Sequence, residues 1–194
     1  MKNVLLIGDS IRMGYDEAVK TALEGKANVL FPEENCQFIY YVFRYFHEWL
    51  DRLGVRGEDV DVVHWNAGLH DCLRMFGEEP NTPLEIYGYY VERTCARIKK
   101  ICPNAKVIFA TCTRVDEQKM NPNFMRCNSD IEEYNAVAVK AAKKHGFYVN
   151  DLYSLSVSLP DEAMSDMFHY YTDIGTRAFS KQVLSCVTEA LGIK

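Results

Sequence analysis

Two short segments carry residue types that together could perform nucleophilic chemistry. Gly8-Asp9-Ser10 follows the apolar run Val4-Leu5-Leu6-Ile7 and leads into a helix-like stretch from Ile11. Far down the chain, Asp166-Met167-Phe168-His169 sets a carboxylate three residues before an imidazole. A serine hydroxyl becomes a nucleophile when a base within hydrogen-bond reach takes its proton, and that base is usually held in one tautomer by a carboxylate. The Asp-x-x-His spacing supplies base and orienter from one loop. A serine at a helix N-terminus also has amides beside it that can stabilise a developing negative charge. Each segment has a plainer reading: Ser10 as a simple helix cap, and Asp166 and His169 as surface residues in an acidic stretch. The two readings part only if the fold brings residue 10 to residue 169.

The hydrophobic pattern predicts such a fold. Strands are expected over 4–7, 28–31, 60–66, 106–112 and 147–150. Helices are expected over 13–24, after the loop at 32–35, from Thr82-Pro83-Leu84-Glu85 to before Pro103, from Ser129-Asp130-Ile131-Glu132 to Gly146, and over 173–191. Thr82 and Ser129 are read as caps in capping boxes, with Pro83 at the first helical position. In the second helix Phe38, Tyr41, Val42, Tyr45, Phe46, Trp49, Leu50 and Leu53 recur at three- and four-residue spacing as one core stripe. Tyr40 and Phe43 fall off that stripe and predict a second contact or a homo-oligomer surface. Alternating strands and helices imply a parallel sheet covered on both faces. Loops of 72–81 and 113–128, and the one holding residues 166–169, follow strands and build one sheet edge, where open α/β sheets place ligands. Ser10, Asn35, His70 and His169 should converge there.

Bulk composition narrows the class. A length of 194 residues with 48% hydrophobic and 25% charged residues suits one globular domain, 1–194, with a sizeable core. The net charge of −5 and the lack of a basic stripe argue against a nucleic-acid partner. No apolar run is long enough for a bilayer, and the first residues lack a signal-peptide core, so the reading is cytoplasmic with no membrane partner. Seven cysteines, an odd number without a Cys-x-x-Cys pair, read as buried free thiols in a reducing compartment. Cys72 and Cys127 lie on loops that could approach the site, but neither is paired with a base in the sequence.

Gly8-Asp9-Ser10 after the first strand, Gly68-Leu69-His70-Asp71 after the third and Asp166-x-x-His169 before the last helix occur in a telling order. In this the sequence resembles the SGNH (GDSL-type) hydrolases, over essentially its whole length. The Tyr171 to Gly175 stretch, Tyr134-Asn135 and Asn150-Asp151-Leu152 are similar to weaker recurring features of that family. The resemblance implies a three-layer α/β/α sandwich around a five-stranded parallel, flavodoxin-like sheet. It also implies catalytic Ser10, Asp166 and His169, and no metal or organic cofactor. Two blocks depart from the family pattern. His70 stands where an oxyanion-binding asparagine is usual; an imidazole can donate a hydrogen bond, and Asn66 is a second candidate donor. The second block reads Glu34-Asn35-Cys36-Gln37, which nominates the backbone N–H of Cys36 for the oxyanion hole and Asn35 for substrate. Arg12 either meets an anionic or hydroxyl-rich substrate or pairs with a carboxylate, with Arg74 a weaker candidate of the same kind. Asp9 is expected to fix the nucleophile turn and Asp71 to brace a loop.

The chemistry this implies is hydrolysis of a short-chain ester, acetyl above all, on a small molecule or glycan. Tyr15, Phe76, Tyr170 and Tyr171 suit either a sugar ring or ordinary packing. Two rivals stand beside it. With the usual asparagine replaced, the fold could be a binding module for acylated glycans or for a protein. Gly68-Leu69-His70-Asp71 also has the look of a metal-dependent phosphoesterase motif, with Asp9, Asp166 and His169 as ligands, although the first strand ends in Asp-Ser and so leaves that ligand set incomplete.

Overall fold

In the computed structural model, which describes residues 1–193, the run that precedes Ser10 is the hub of the sheet. Strand β1 (Lys2–Ile7) buries Val4, Leu5, Leu6 and Ile7 completely. It pairs in parallel with β2 (Ala27–Leu30) on one side and β3 (Val62–Trp65) on the other. Strands β5 (Lys106–Ala110) and β7 (Tyr148–Asn150) extend the sheet beyond β3, again in parallel. Between them in sequence lie β4 (Arg74–Met75) and β6 (Phe124–Met125), which form a separate antiparallel ribbon. The main sheet therefore runs β2-β1-β3-β5-β7. Counting only its own five strands, this is the 2-1-3-4-5 flavodoxin-like order.

Strands buried on both faces need helices on both faces. One layer is α3 (Ile39–Arg52), α4 (Leu84–Ile101) and α5 (Asn128–Lys144), packed in succession. The other is α2 (Asp16–Ala22), α6 (Leu152–Ser158) and α7 (Asp173–Leu191). A single turn, α1 (Ser10–Met13), leads from β1 into α2. The expected continuous helix over 13–24 is thus broken at Gly14-Tyr15, where Tyr15 turns inward and is buried.

Other departures have local causes. Thr82 and Ser129 do not cap their helices. Pro83 and Cys127 occupy the cap positions without a side-chain bond, and Ser129 lies inside α5. The first turn of α5 is instead tied through Asn128, whose amide exchanges hydrogen bonds with the backbone of Val115. Helix α6 falls where the sequence reads as loop. It is opened by Asp151, whose carboxylate accepts from the Ser154 amide at 3.0 Å. On α3 the buried face is Ile39, Val42, Phe43, Phe46, Trp49 and Leu50, so the core stripe is turned toward Phe43. Phe43 finds its second contact on α4, beneath the Arg97 guanidinium at 3.6 Å and beside the Tyr90 ring. Among the described residues all seven cysteines are free thiols, five of them buried. No helix there is long and apolar enough to cross a membrane.

Candidate active site

Ser10 opens α1 directly after β1, and the preceding turn is shaped by two constraints. Asp9 is fully buried and caps the helix, its Oδ1 accepting from the Ile11 amide at 3.0 Å. Gly8 faces Asn66, the residue after β3. A Cβ on Gly8 would sit 2.0 Å from Asn66 Oδ1, so only glycine leaves room for that side chain. Ser10 stays half-buried, its hydroxyl open to the crevice at the carboxyl end of β1.

His169 reaches the same point from the opposite end of the chain. Its Nε2 lies 2.8 Å from Ser10 Oγ, and its Nδ1 lies 2.7 Å from Asp166 Oδ2. The other oxygen of Asp166 accepts from the amides of Phe168 and His169, at 2.9 and 2.8 Å. Burial raises the Asp166 pKa, but these amides and the imidazole outweigh it and hold the carboxyl below its ordinary range. Asp166 therefore stays ionised and keeps the tautomer in which Nδ1 carries the proton and Nε2 accepts from the serine. Two aromatic rings hold the imidazole in place. Tyr171 stacks on it at 4.6 Å and 19°, with its hydroxyl donating to the Ser10 carbonyl at 2.6 Å, and Phe168 lies 4.3 Å away.

The third segment supplies side chains to the same crevice. Gly68 has φ +147, a conformation that favours glycine, and an added Cβ would meet the Cys112 sulfur at 2.7 Å. Tyr87 donates to the Ala67 carbonyl, and Asn135 brackets the backbone of Cys112 through both ends of its amide. His70, half-buried, has its pKa lowered first by burial, then by the charges of Arg126 and His169 against an opposing Asp9. It is neutral near pH 7 and can donate one hydrogen bond. Asn66 is buried, with Oδ1 lacking a partner among the described residues and Nδ2 as its donor end. Asp71 is fully buried, and both its oxygens accept from the Ile39 amide at the start of α3, at 3.2 and 3.0 Å.

Two expected contributors are placed elsewhere. The Cys36 amide donates to the Gly8 carbonyl at 3.1 Å, so it is not free to meet an oxyanion. Burial also raises the Cys36 thiol pKa to about 12, against the pull of Arg12. In the same loop Asn35 Oδ1 accepts from the Gln37 amide, which leaves its Nδ2 end as a donor. Arg12, only 1% exposed, is not a substrate contact: it ion-pairs with Asp16 and donates to the Glu34 carbonyl at 2.7 Å. Arg74 is likewise engaged, with Asp130 at 2.7 Å. Tyr15 and Tyr170 are core residues, whereas Phe76 and Tyr171 are exposed. Among the described residues no group of three or more His, Cys, Asp or Glu is arranged to hold a metal ion. Arg126, buried with its Nε donating to the carbonyl of Leu69 beside His70, belongs to no motif in the sequence. Its only signal is the apolar pair Phe124-Met125 just before it, an interruption of a polar loop.

No protein-family model and no curated protein sequence matches this chain. Solved structures do. The lipase/acylhydrolase from Enterococcus faecalis superposes with a TM-score of 0.78 at 20% identity, covering 97% of this chain and 96% of the other. The acetyl xylan esterase AlAXEase gives 0.74 at 19% identity, with 95% and 99% covered. Axe2, an acetylxylan esterase from Geobacillus stearothermophilus, gives 0.69 at 13% identity, with 100% and 95% covered. Agreement over whole chains at such low identity is agreement of architecture. With its sheet order and the strand-end positions of its three blocks, this chain has the SGNH (GDSL-type) hydrolase fold.

Proposed function

We propose that the protein is a serine esterase that hydrolyses short-chain esters, acetyl esters of carbohydrates first among them. The observation that carries this reading is the unbroken relay from Ser10 Oγ to His169 Nε2 at 2.8 Å and from His169 Nδ1 to Asp166 at 2.7 Å. His169 takes the proton as Ser10 Oγ attacks the ester carbonyl, and the imidazolium is stabilised by Asp166. Collapse of the tetrahedral adduct expels the alcohol, which takes that proton from His169 and leaves an acyl-serine. Water, activated by the same base, then releases the acid. For the oxyanion, the reading assigns the Ser10 amide, at a helix start where no intrahelical acceptor exists. It adds the Asn66 Nδ2 and the neutral His70 imidazole as side-chain donors. Asn35 Nδ2 is assigned to substrate. The acetyl and carbohydrate preference draws on the names of the similar structures, two of which are acetyl xylan esterases.

Hydrolysis of 4-nitrophenyl acetate by wild type, Ser10→Ala and His169→Ala tests the reading. Both variants should lose at least ~10³-fold in kcat, as members of one relay do. Undiminished turnover by Ser10→Ala would remove the serine mechanism. Acetylated xylooligosaccharides, compared with butyryl and longer aryl esters, then test the acyl and glycan preference.

A further inference from the structure

The wall of the crevice beside His70 carries a buried guanidinium that no carboxylate among the described residues meets at ion-pair distance. Arg126 follows β6 and is 3% exposed. Its Nε donates to the carbonyl of Leu69, the residue before His70. Its guanidinium lies 5.0 Å from the centroid of Phe168, the residue before His169, and 5.2 Å from that of Phe124. Nη1 is buried without a hydrogen-bond partner among the described residues. Arg12, Arg74 and Arg114 each meet a carboxylate, and Arg126 has none within ion-pair distance among the described residues.

A buried charge with no counter-ion is costly, and it is most relieved by an anion that arrives with a ligand. The geometry also selects the anion. Nε is committed to Leu69 and the rings of Phe124 and Phe168 flank the fork, so the Nη groups are the donors left for a ligand. A carboxylate matches them with two parallel hydrogen bonds. The charge balance favours a monoanion over a phosphate dianion, because the buried Asp9 already acts on Arg126 with a negative charge. Arg126 is near enough to the reacting groups to bear on them: its charge pulls the His70 pKa down, and Asp9 acts on Arg126 in turn.

We propose that Arg126 forms a subsite for a carboxylate carried by the ester. The preferred substrates are then acyl esters of acidic alcohols or half-esters of dicarboxylic acids. The subsite builds on the esterase reading of Ser10, His169 and Asp166, and it narrows the substrate class within it.

The test compares esters that differ in charge but hardly in shape. One pair places the carboxylate on the alcohol, 4-acetoxybenzoate against 4-acetoxybenzamide. The other places it on the acyl group, mono-4-nitrophenyl glutarate against 4-nitrophenyl valerate. Each rate is divided by that for hydroxide, which removes intrinsic reactivity. Wild type should favour the anion in at least one pair by roughly tenfold in kcat/KM, about 1.4 kcal/mol. That ratio should collapse toward unity in Arg126→Gln, which a merely structural role for Arg126 would not produce. A ratio near unity in both pairs for wild type, or a preference that survives in Arg126→Gln, overturns the subsite. Should Arg126→Gln fail to fold, wild type decides alone. Benzoate or glutarate should then inhibit hydrolysis of the neutral ester at roughly one tenth the concentration of benzamide or glutaramide, and equal inhibition overturns the subsite. Calorimetric titration of Ser10→Ala with 4-acetoxybenzoate and its amide separates the two readings. Selective binding of the anion without any turnover by wild type leaves the subsite and removes the esterase. Turnover of neutral esters without anion selectivity does the reverse.

Discussion

Tyr171 ties the two halves of the relay together with one side chain. Its ring lies flat on the His169 imidazole while its hydroxyl reaches the backbone of Ser10. The ring also rests on Gly14, where an added Cβ would come within 2.7 Å of it. Tyr171→Phe keeps the stack and loses one hydrogen bond, worth about 0.5–1.5 kcal/mol. If that loss falls on the positioning of His169, kcat on an aryl acetate should drop by about 2- to 10-fold with KM nearly constant. Tyr171→Ala, which removes the stack as well, should cost more. At this scale the sequence was uneven as a guide. Ser10, Asp166 and His169 were legible because local spacing puts base and orienter on one turn. Tyr171 is legible only as part of a family-like stretch and as a ring for a sugar or for packing, since a sequence does not say which group a ring will lie on. Arg126 is not legible, because its significance lies in a partner that is missing.

The elements around the site are held by buried polar struts. Arg12 joins α2, through Asp16, to the carbonyl of Glu34 in the loop that carries Asn35. Glu34 in turn accepts from Tyr41, Trp49 and Arg52 of α3. Removing one partner of such a buried pair leaves the other unpaired, so Arg12→Ala should destabilise the fold by about 3–5 kcal/mol in urea denaturation. Asp71 gives a pH signature. Burial, against bonds from Thr82 and Ile39, pushes its pKa up to about 7, from an ordinary value of 3.8. A carboxyl whose folded pKa is raised binds more protons folded than unfolded. Its contribution is therefore full below about pH 4 and is lost as the pH rises through about 7. The stability difference between wild type and Asp71→Asn, measured by denaturation from pH 4 to 8, should shift against wild type across that window. The sequence marked Asp71 as a brace, and the structure makes it the cap of α3. Helix starts were the least legible feature. The capping boxes at Thr82 and Ser129 fit a local rule that tertiary anchors at Asp71 and Val115 supersede.

Across the whole molecule, the alternation of strand and helix was enough to give the parallel sheet, because strands buried on both faces must read as unbroken apolar runs. The β4–β6 ribbon was not legible, since two-residue strands carry no periodicity. The long-range join at the site depends on one tight crossing. Gly175, in the first turn of α7, approaches the carbonyls of Tyr170 and Ala163, and a Cβ there would lie 2.4 and 2.5 Å from them. Gly175→Ala must push α7 away from the loop bearing His169. It should cost about 1–3 kcal/mol of stability, as overpacking does, and should lower kcat more than it raises KM, read from melting curves and steady-state kinetics.

Ser10 and His169 stand 159 residues apart, yet in the proposed relay neither acts without the other. On a ribosome, Ser10 would emerge before four of the five sheet strands and remain an ordinary hydroxyl while they were being made. Its base would follow only after the last of those strands, and α7, which seats that base, later still. On the proposed mechanism, the nascent chain would be harmless to esters until His169 has been made and seated. Under that mechanism, hydrolysis in a translation reaction would appear only once α7 has docked.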